Sequence, residues 1–301
     1  MAISRQQLVK ELEPGLNALF GLEYKRYENQ HVEIYDAEIS DRAFEEEVML
    51  SGFANAAVKP EGSAVTFDNA QETFTSRYTH ETIALAFAIT EEAIEDNLYD
   101  RIATRYTKAL ARSMANTKQV KAANVLNNAF NTNYLGGDGL ELCSTLHPTI
   151  AGTFSNELAT SADLNETSLE QSLIDIAAFT DERGLKIAAQ GMKLIIPSEL
   201  QFTAERLMKS QGRVGTADND VNAIVSKGMI PQGYVVNNYL TDSDAFFIKT
   251  DVPNGMKMFN RSPLKTAMEG DFDTGNVRYK ARERYSFGWS DPRGIFGSPG
   301  A

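Results

Sequence analysis

Residues 90–130 read TEEAIEDNLYDRIATRYTKALARSMANTKQVKAANVLNNAF, an uninterrupted run without proline or glycine. Ile94, Leu98, Ile102, Tyr106, Leu110 and Met114 recur at every fourth position, with Ala93, Ala103, Ala109 and Ala111 between them. That period predicts a helix and excludes a strand, whose faces alternate at every second residue. A row spaced by four drifts around a helix that turns every ~3.6 residues, so its buried stripe meets different neighbours along its length. Thr90 has the side chain of an N-cap. Glu91, Glu92, Glu95, Asp96 and Asp100 fill the opening turns, and Arg101, Arg105, Lys108, Arg112, Lys118 and Lys121 follow, the charge order a helix dipole favours. As one helix the run is roughly 60 Å long. A compact globule of 301 residues has a radius of gyration of roughly 19 Å and a diameter of about 50 Å. A spine longer than the ball it sits in predicts a flat or elongated subunit whose missing contacts come from other subunits.

Working outward, the strand that feeds this helix is TIALAFAIT. Ile83, Leu85, Phe87 and Ile89 share one face; Ala84, Ala86 and Ala88 share the other, a small face that admits close approach. Before it, residues 44–80 read as a long hairpin. Glu47, Val48, Met49, Leu50 and Phe53 lie on one limb, and AVTFDNAQETFTSRYTH returns with Phe74, Ser76, Tyr78 and His80 alternating against Thr73, Thr75, Arg77 and Thr79. Lys59-Pro60-Glu61-Gly62 is a turn signal at its tip. An isolated hairpin is marginal in water, and limbs this long and polar predict an arm laid over a neighbour. The N-terminal MAISRQQLVKELEPGLNALF has no signal-peptide core and reads as an amphipathic helix or arm around Leu8, Leu12, Leu16 and Leu19.

Beyond the helix, NTNYLGGDGLELCSTLHPTIAG is loop chemistry. A middle segment of α+β character follows. Thr167-Ser168-Leu169-Glu170 is read as a capping box opening a helix, Met192–Ile196 as a buried strand, and Ser198–Gln201 as the start of a second helix. The polar stretch SQGRVGTADND is a loop, and Tyr234–Val236, Ala245–Lys249 and Met256–Phe259 are further strands. Last comes NVRYKARERYSFGWSD, in which Arg278, Lys280, Arg282 and Arg284 share one strand face. Tyr279, Ala281, Glu283, Tyr285 and Phe287 share the opposite one.

The chain is 42% hydrophobic without a membrane-length apolar run, and its single cysteine, Cys143, excludes an internal disulfide framework. Forty-one acidic against 29 basic residues give a net charge of −12, which disfavours a broad polyanion-binding surface. Cys143 and His147 are four apart and would serve an acidic enzyme as a thiolate–imidazole pair or half a metal site. Three histidines and one cysteine are too few for a four-ligand centre, so a loop Cys and a loop His is the plainer reading. Phosphate-binding glycine loops and nucleophile elbows are absent. No catalytic residue, cofactor or metal is expected. The basic strand face is expected to pair with the acidic first turns of the long helix or with a neighbouring subunit.

Taken in order, these elements resemble the Hong Kong 97-type major capsid protein of tailed bacteriophages. The phrases FANAAVKPEGSAVTFDNAQETFTSRYTHETIALAFAITEEAIEDNLY, CSTLHPTIAGTFSNEL, GTADNDVN and RERYSFGWSDPRGIFGSPG resemble the Mu-like major head subunit group in particular. The resemblance implies an N-arm at 1–43, an extended loop at 44–80, and a peripheral domain at 81–134 with its spine helix at 91–130. It further implies an axial domain at 135–262 and a peripheral return strand with C-terminal tail at 263–301. Lys59, Glu61, Phe67, Phe74, Tyr78, Arg278, Lys280, Arg282 and Arg284 become inter-subunit contacts. The implied function is a virion shell of hexamers and pentamers, assembled in the host cytoplasm around double-stranded DNA without sequence-specific binding or a membrane. Without a long scaffold-like prefix a separate scaffolding protein is expected, with a portal and a cementing protein as further partners. The family's founding member crosslinks a loop lysine to a neighbour's asparagine; Lys59 is the lysine at this tip, and nothing around it marks it as reactive. An encapsulin-like shell around enzyme cargo is the alternative within the same fold.

Overall fold

The computed structural model describes residues 5–90, 99–212, 220–271 and 275–301. The acidic opening turn, with Ile94 and Leu98, and most of the loop SQGRVGTADND lie outside the described residues. The chain begins with α1 (Arg5–Arg26), a 3-10 turn at Gln30–Glu33, β1 (Asp36–Ile39), β2 (Phe44–Leu50), β3 (Glu72–Thr79), β4 (Glu81–Ile89) and α2 (Tyr99–Asn127). Next come β5 (His147–Thr149), β6 (Gly152–Phe154), α3 (Glu166–Ala177), β7 (Gly191–Ile196), α4 (Gln201–Lys209), α5 (Ala223–Lys227), β8 (Tyr234–Val236) and β9 (Phe246–Thr250). Two long strands, β10 (Met256–Gly270) and β11 (Val277–Trp289), precede β12 (Ile295–Ser298).

These strands make two four-stranded sheets, ordered β1-β10-β11-β4 and β12-β9-β7-β8, and two small hairpins, β2-β3 and β5-β6. Helices α1 and α2 cover one face of the first sheet: Leu16, Phe20, Leu110, Ala111 and Met114 pack on Ile89, Tyr279 and Ala281. The drift of a four-residue spacing is visible in α2, where Tyr106 is 53% exposed while Ala103 is buried. Toward its C-terminus the helix changes neighbours. Ala122, Leu126 and Ala129 enter a junction core with Ile34, Tyr35, Cys143, Phe247, Trp289 and Ile295. Alanine at most of these positions brings the helix axis close to what it lies on. A third core sits between the second sheet and helices α3, α4 and α5, around Leu169, Ile176, Leu194, Ile196, Phe246 and Phe296.

Several elements differ from expectation. Residues 14–40 pack against their own subunit, with Leu16, Phe20, Ile34 and Tyr35 buried. The Tyr35 hydroxyl donates to Ala122 O at 2.7 Å, and His31 N donates to Gln119 Oε1 at 3.1 Å. Helix α3 is capped by Asn165, not Thr167. Asn165 Oδ1 accepts from Ser168 N at 2.9 Å while Asn165 N donates to Ser168 Oγ at 3.0 Å, a reciprocal capping box. The boundary at 262/263 falls inside β10, which belongs entirely to the first sheet. The Gly-rich tail is core: β12 pairs antiparallel with β9, and Ile295 and Phe296 are buried. A Cβ on Gly297 would stand 2.8 Å from Cys143 Sγ and 3.0 Å from Phe130, so this close packing requires glycine. The chain exposes 17230 Å², whereas a compact monomer of 33.2 kDa exposes about 12,600 Å².

Candidate assembly surface

The hairpin is fixed at its root. Strands β2 and β3 pair from Phe44↔Thr79 to Leu50↔Glu72. Ser76, Tyr78 and His80 turn inward, Thr75, Arg77 and Thr79 outward, as period-two alternation dictates. Tyr78 is 4% exposed, meets the Phe259 ring edge-on at 4.8 Å, and sits 2.5 Å from Ser290 Oγ through its hydroxyl. Burial pushes its phenol pKa up. Glu47 accepts from both Ser290 Oγ and Lys257 Nζ, and Lys257 also meets Glu38 at 3.0 Å. Burial works against the Lys257 charge, but the two carboxylates outweigh it and raise its pKa. His80 bridges Ser40 Oγ and Ser286 Oγ, each at 2.9 Å. Tyr78 is therefore consumed inside its own subunit, a correction to its expected role at an interface.

The distal loop is the opposite case. Ser51 and Gln71 close the neck: Ser51 N donates to Gln71 O and Gln71 N to Ser51 Oγ, both at 2.9 Å. Asp68 accepts from Ala54 N at 2.7 Å and Asn69 N at 2.9 Å, which holds its carboxyl below the usual range. From the middle of the chain, Arg183 Nη2 reaches Asn69 O at 2.6 Å. Past this neck, residues 53–70 have no strand pairing and are exposed. Val58 is 93% and Phe67 97% exposed, with Phe53 and Val65 also outside. The expected tip turn is present, with Ser63 N donating to Pro60 O at 3.2 Å and Gly62 at φ +80. Lys59 and Glu61 stand exposed on it, and Phe74 is half-buried on β3. A polar, Ala-rich segment with isolated large apolar groups cannot form a core alone.

The basic face lies on the far side of the first sheet from the helices. Arg278, Lys280 and Arg282 are exposed and Arg284 half-buried, while Tyr279, Ala281, Glu283 and Tyr285 are buried. The helix meets the buried side: Lys118 Nζ lies 3.2 Å from Glu283 Oε2, and burial raises the Glu283 carboxyl pKa. The described part of α2 thus offers the basic row nothing. Arg278 pairs with Asp271, and Arg284 Nη2 reaches Ala43 O at 3.4 Å. Register sets Arg284, Arg282, Lys280 and Arg278 beside Thr82, Ala84, Ala86 and Ala88 of β4. Nothing in the sequence alone revealed this pairing of a cation row with an alanine row, although each row was visible separately.

Cys143 and His147 do not form a pair. The thiol lies in the junction core, where burial raises its pKa. His147 Nδ1 is 2.5 Å from Asp138 Oδ2 and Nε2 is 3.2 Å from Asn156 Oδ1, which occupies both ring nitrogens. Among the described residues no group of His, Cys, Asp and Glu has metal-binding geometry, and no helix is long and apolar enough to cross a membrane.

No curated protein sequence matches the chain. Solved structures match almost all of it. The capsid of an empty GTA particle has 13% identity and a TM-score of 0.58 over 90% of each chain. The capsid of Myoviridae phage XM1 has 11% identity and a TM-score of 0.52 over 89% of each. The virus-like particle from Pyrococcus furiosus has 11% identity and a TM-score of 0.52, covering 94% of this chain and 97% of its own. These likenesses establish the Hong Kong 97-type capsid fold. A family model described as phage capsid protein matches residues 72–297, from the hairpin's return strand to β12. The chain accordingly belongs to the phage capsid protein family: it is a viral major capsid protein, a structural subunit of an icosahedral virion shell.

Proposed function

We propose that the shell is built of hexamers and pentamers and encloses double-stranded DNA, with the distal loop of each subunit lying on its neighbour. The observation that carries the loop assignment is the contrast between its root, bonded to its own subunit, and residues 53–70, which expose Val58 and Phe67. Lys59, Glu61, Phe67 and the outer edge of Phe74 are then contacts between copies. The row Arg278, Lys280, Arg282 and Arg284 meets acidic protein groups and not DNA, in keeping with a chain of net charge −12. The subunit has a structural role without catalysis. Its assembly in the host cytoplasm uses a separate scaffolding protein, and a portal and a cementing protein complete the particle.

Expressed protein supplied with scaffold, followed by light scattering and negative-stain microscopy, tests this reading. Closed shells of capsomers are expected; a compact monomer under every assembly condition overturns it. Particle contents decide the cargo: nucleic acid supports the virion assignment, and a packaged enzyme would replace it with an encapsulin-like shell.

A further inference from the structure

We propose that the open edge of β4 and the cation row beside it form a docking strip for an acidic, extended segment of another protein, which adds to the sheet as a further strand. This goes beyond shell formation and concerns a partner that is not a copy of this chain.

Strand β4 ends the sheet order β1-β10-β11-β4, and among the described residues no strand pairs with its outer edge. Soluble proteins blunt such edges with lysine, proline, a bulge or a short strand. Residues 82–89, TIALAFAI, have none of these: no charge, no proline, and an uninterrupted register against β11 from Glu81 to Ile89. The row of unpaired backbone groups is a template for another strand.

Side chains beside the edge say what that strand must carry. An added strand would lie about 10 Å from β11, two inter-strand spacings away. The residues between are Ala84, Ala86 and Ala88, all exposed. Their methyl groups leave a low shelf that arginine and lysine side chains cross and a larger residue would block. The four cations repeat at every second position, about 6.6 Å apart along the strand. An incoming strand with carboxylates at alternate residues has the same repeat. Among the described residues Lys280 and Arg282 have no ion-pair partner, and exposed Lys265, paired in register with Arg282, adds a fifth cation. Glu269, opposite Arg278, and Asp271, which already pairs with Arg278, are acids on this face.

Among the described residues the strand carboxylates that alternate along the chain, Asp36 with Glu38 and Glu45 with Glu47, are already engaged. Asp36 and Glu38 meet Lys249 and Lys257; Glu45 accepts from Ser40, and Glu47 from Lys257 and Ser290. The distal loop offers Glu61 and Asp68, too far apart to match the repeat, and Asp68 is held by Ala54 and Asn69. The complement therefore comes from another polypeptide. Duplex DNA is the poorer fit, because phosphates recognise the cations but leave the strand edge without a peptide partner.

The test uses a fluorescein-labelled peptide of β4's length, alternating Glu with Val and Thr. Its binding to unassembled subunit and to assembled shells is followed by fluorescence anisotropy at low and high salt. Binding is expected in both states, weakening with salt. The Lys280→Glu/Arg282→Glu variant should lose about tenfold or more in affinity. Circular dichroism checks that this variant is folded, and Lys280→Gln/Arg282→Gln repeats the measurement without charge reversal. A peptide N-methylated at alternate amides should fail to bind, since it cannot complete the edge. Equal binding of the N-methylated peptide, or of a Lys-for-Glu peptide, overturns the proposal. So does displacement of the acidic peptide by a short DNA duplex at lower concentration, which makes the face a nucleic-acid contact. Binding to subunits but not to shells also overturns it, because another copy then fills the strip.

Discussion

The ring of Tyr78 lies against Gly288: a Cβ at position 288 would stand 2.7 Å from its Cε1. Because the Tyr78 hydroxyl is also 2.5 Å from Ser290 Oγ, the hairpin root is locked to the last strand of the sheet at two adjacent points. A methyl group at 288 forces the ring away from Phe259 and Ser290. Gly288→Ala should destabilise the subunit by about 1–3 kcal/mol, the range for overpacking a core. Gly270→Ala, where nothing lies within 4 Å of the added methyl, should be near neutral. Urea unfolding of the two variants makes the comparison, and coincident midpoints would show that the root is not locked.

Acid should loosen the contact between the N-terminal segment and α2. Burial is the main cause that lowers the His31 pKa from 6.5 to about 4, with Lys118 adding to it and the Gln119 hydrogen bond opposing. Between those values the unfolded chain binds the proton and the folded chain does not. His31 therefore contributes stability fully above about pH 6.5 and progressively less as pH falls toward 4. At pH 5 the loss is on the order of 2 kcal/mol. His80, lowered by burial and by Arg284, acts in the same sense. His31→Gln should flatten the pH dependence of the urea midpoint across this window. An unchanged slope would mean that His31 does not titrate in this way.

Two loop residues that look like one constellation should behave as unrelated ones. His147 and Asp138 are each 1% exposed, and removing the imidazole strands a buried carboxylate. His147→Ala should cost about 3–5 kcal/mol. Cys143→Ala removes a sulfur from an apolar core and should cost about 1–2 kcal/mol, with shell yield unchanged and no metal lost by elemental analysis. Stoichiometric zinc that disappears in either variant would restore the discarded metal reading.

What could be read from the chain alone follows from burial on one side. VRYKARERY has one buried and one exposed face, and TIALAFAI alternates a partly covered apolar face, on which Leu85 stays exposed, with an exposed alanine face, so period two is written plainly in both; α2 has a helical stripe. Strand β10 was seen only as Met256–Phe259, because Ser262 and Pro263 interrupt its pattern. The structure absorbs them as register shifts between Asn260 and Lys265. Strand β12 hides in IFGS, four residues among glycine and proline, whose partner β9 is far off in sequence. The same distance concealed Tyr78. An aromatic residue on a polar strand fits an interface or a core equally well, and what decides is Gly288 and Ser290, some 210 residues away.

The distal loop should be dispensable for the subunit and indispensable for the shell, and the division falls at the neck. At the root, Glu45, Glu47, Tyr78 and His80 are tied into the subunit through Ser40, Lys257, Ser286 and Ser290, so deleting the whole hairpin would expose the junction of β10 and β11. Between Gly52 and Asp68 the bonds are internal to the loop or run through the Arg183 contact, and no side chain from Phe53 to Asp68 is buried. Replacing Gly52–Ala70 with Asn-Gly joins Ser51 directly to Gln71 by a two-residue hairpin connection and leaves the β2-β3 register intact. The shortened chain should keep its far-ultraviolet circular dichroism and unfold within about 1 kcal/mol of the parent, the scale of surface changes. In sedimentation it should stop at monomers or loose capsomers, because Val58, Phe67 and the tip charges are gone. Normal shells from this variant would refute the loop-on-neighbour reading, and an unfolded monomer would show that the tip supports the subunit's own core.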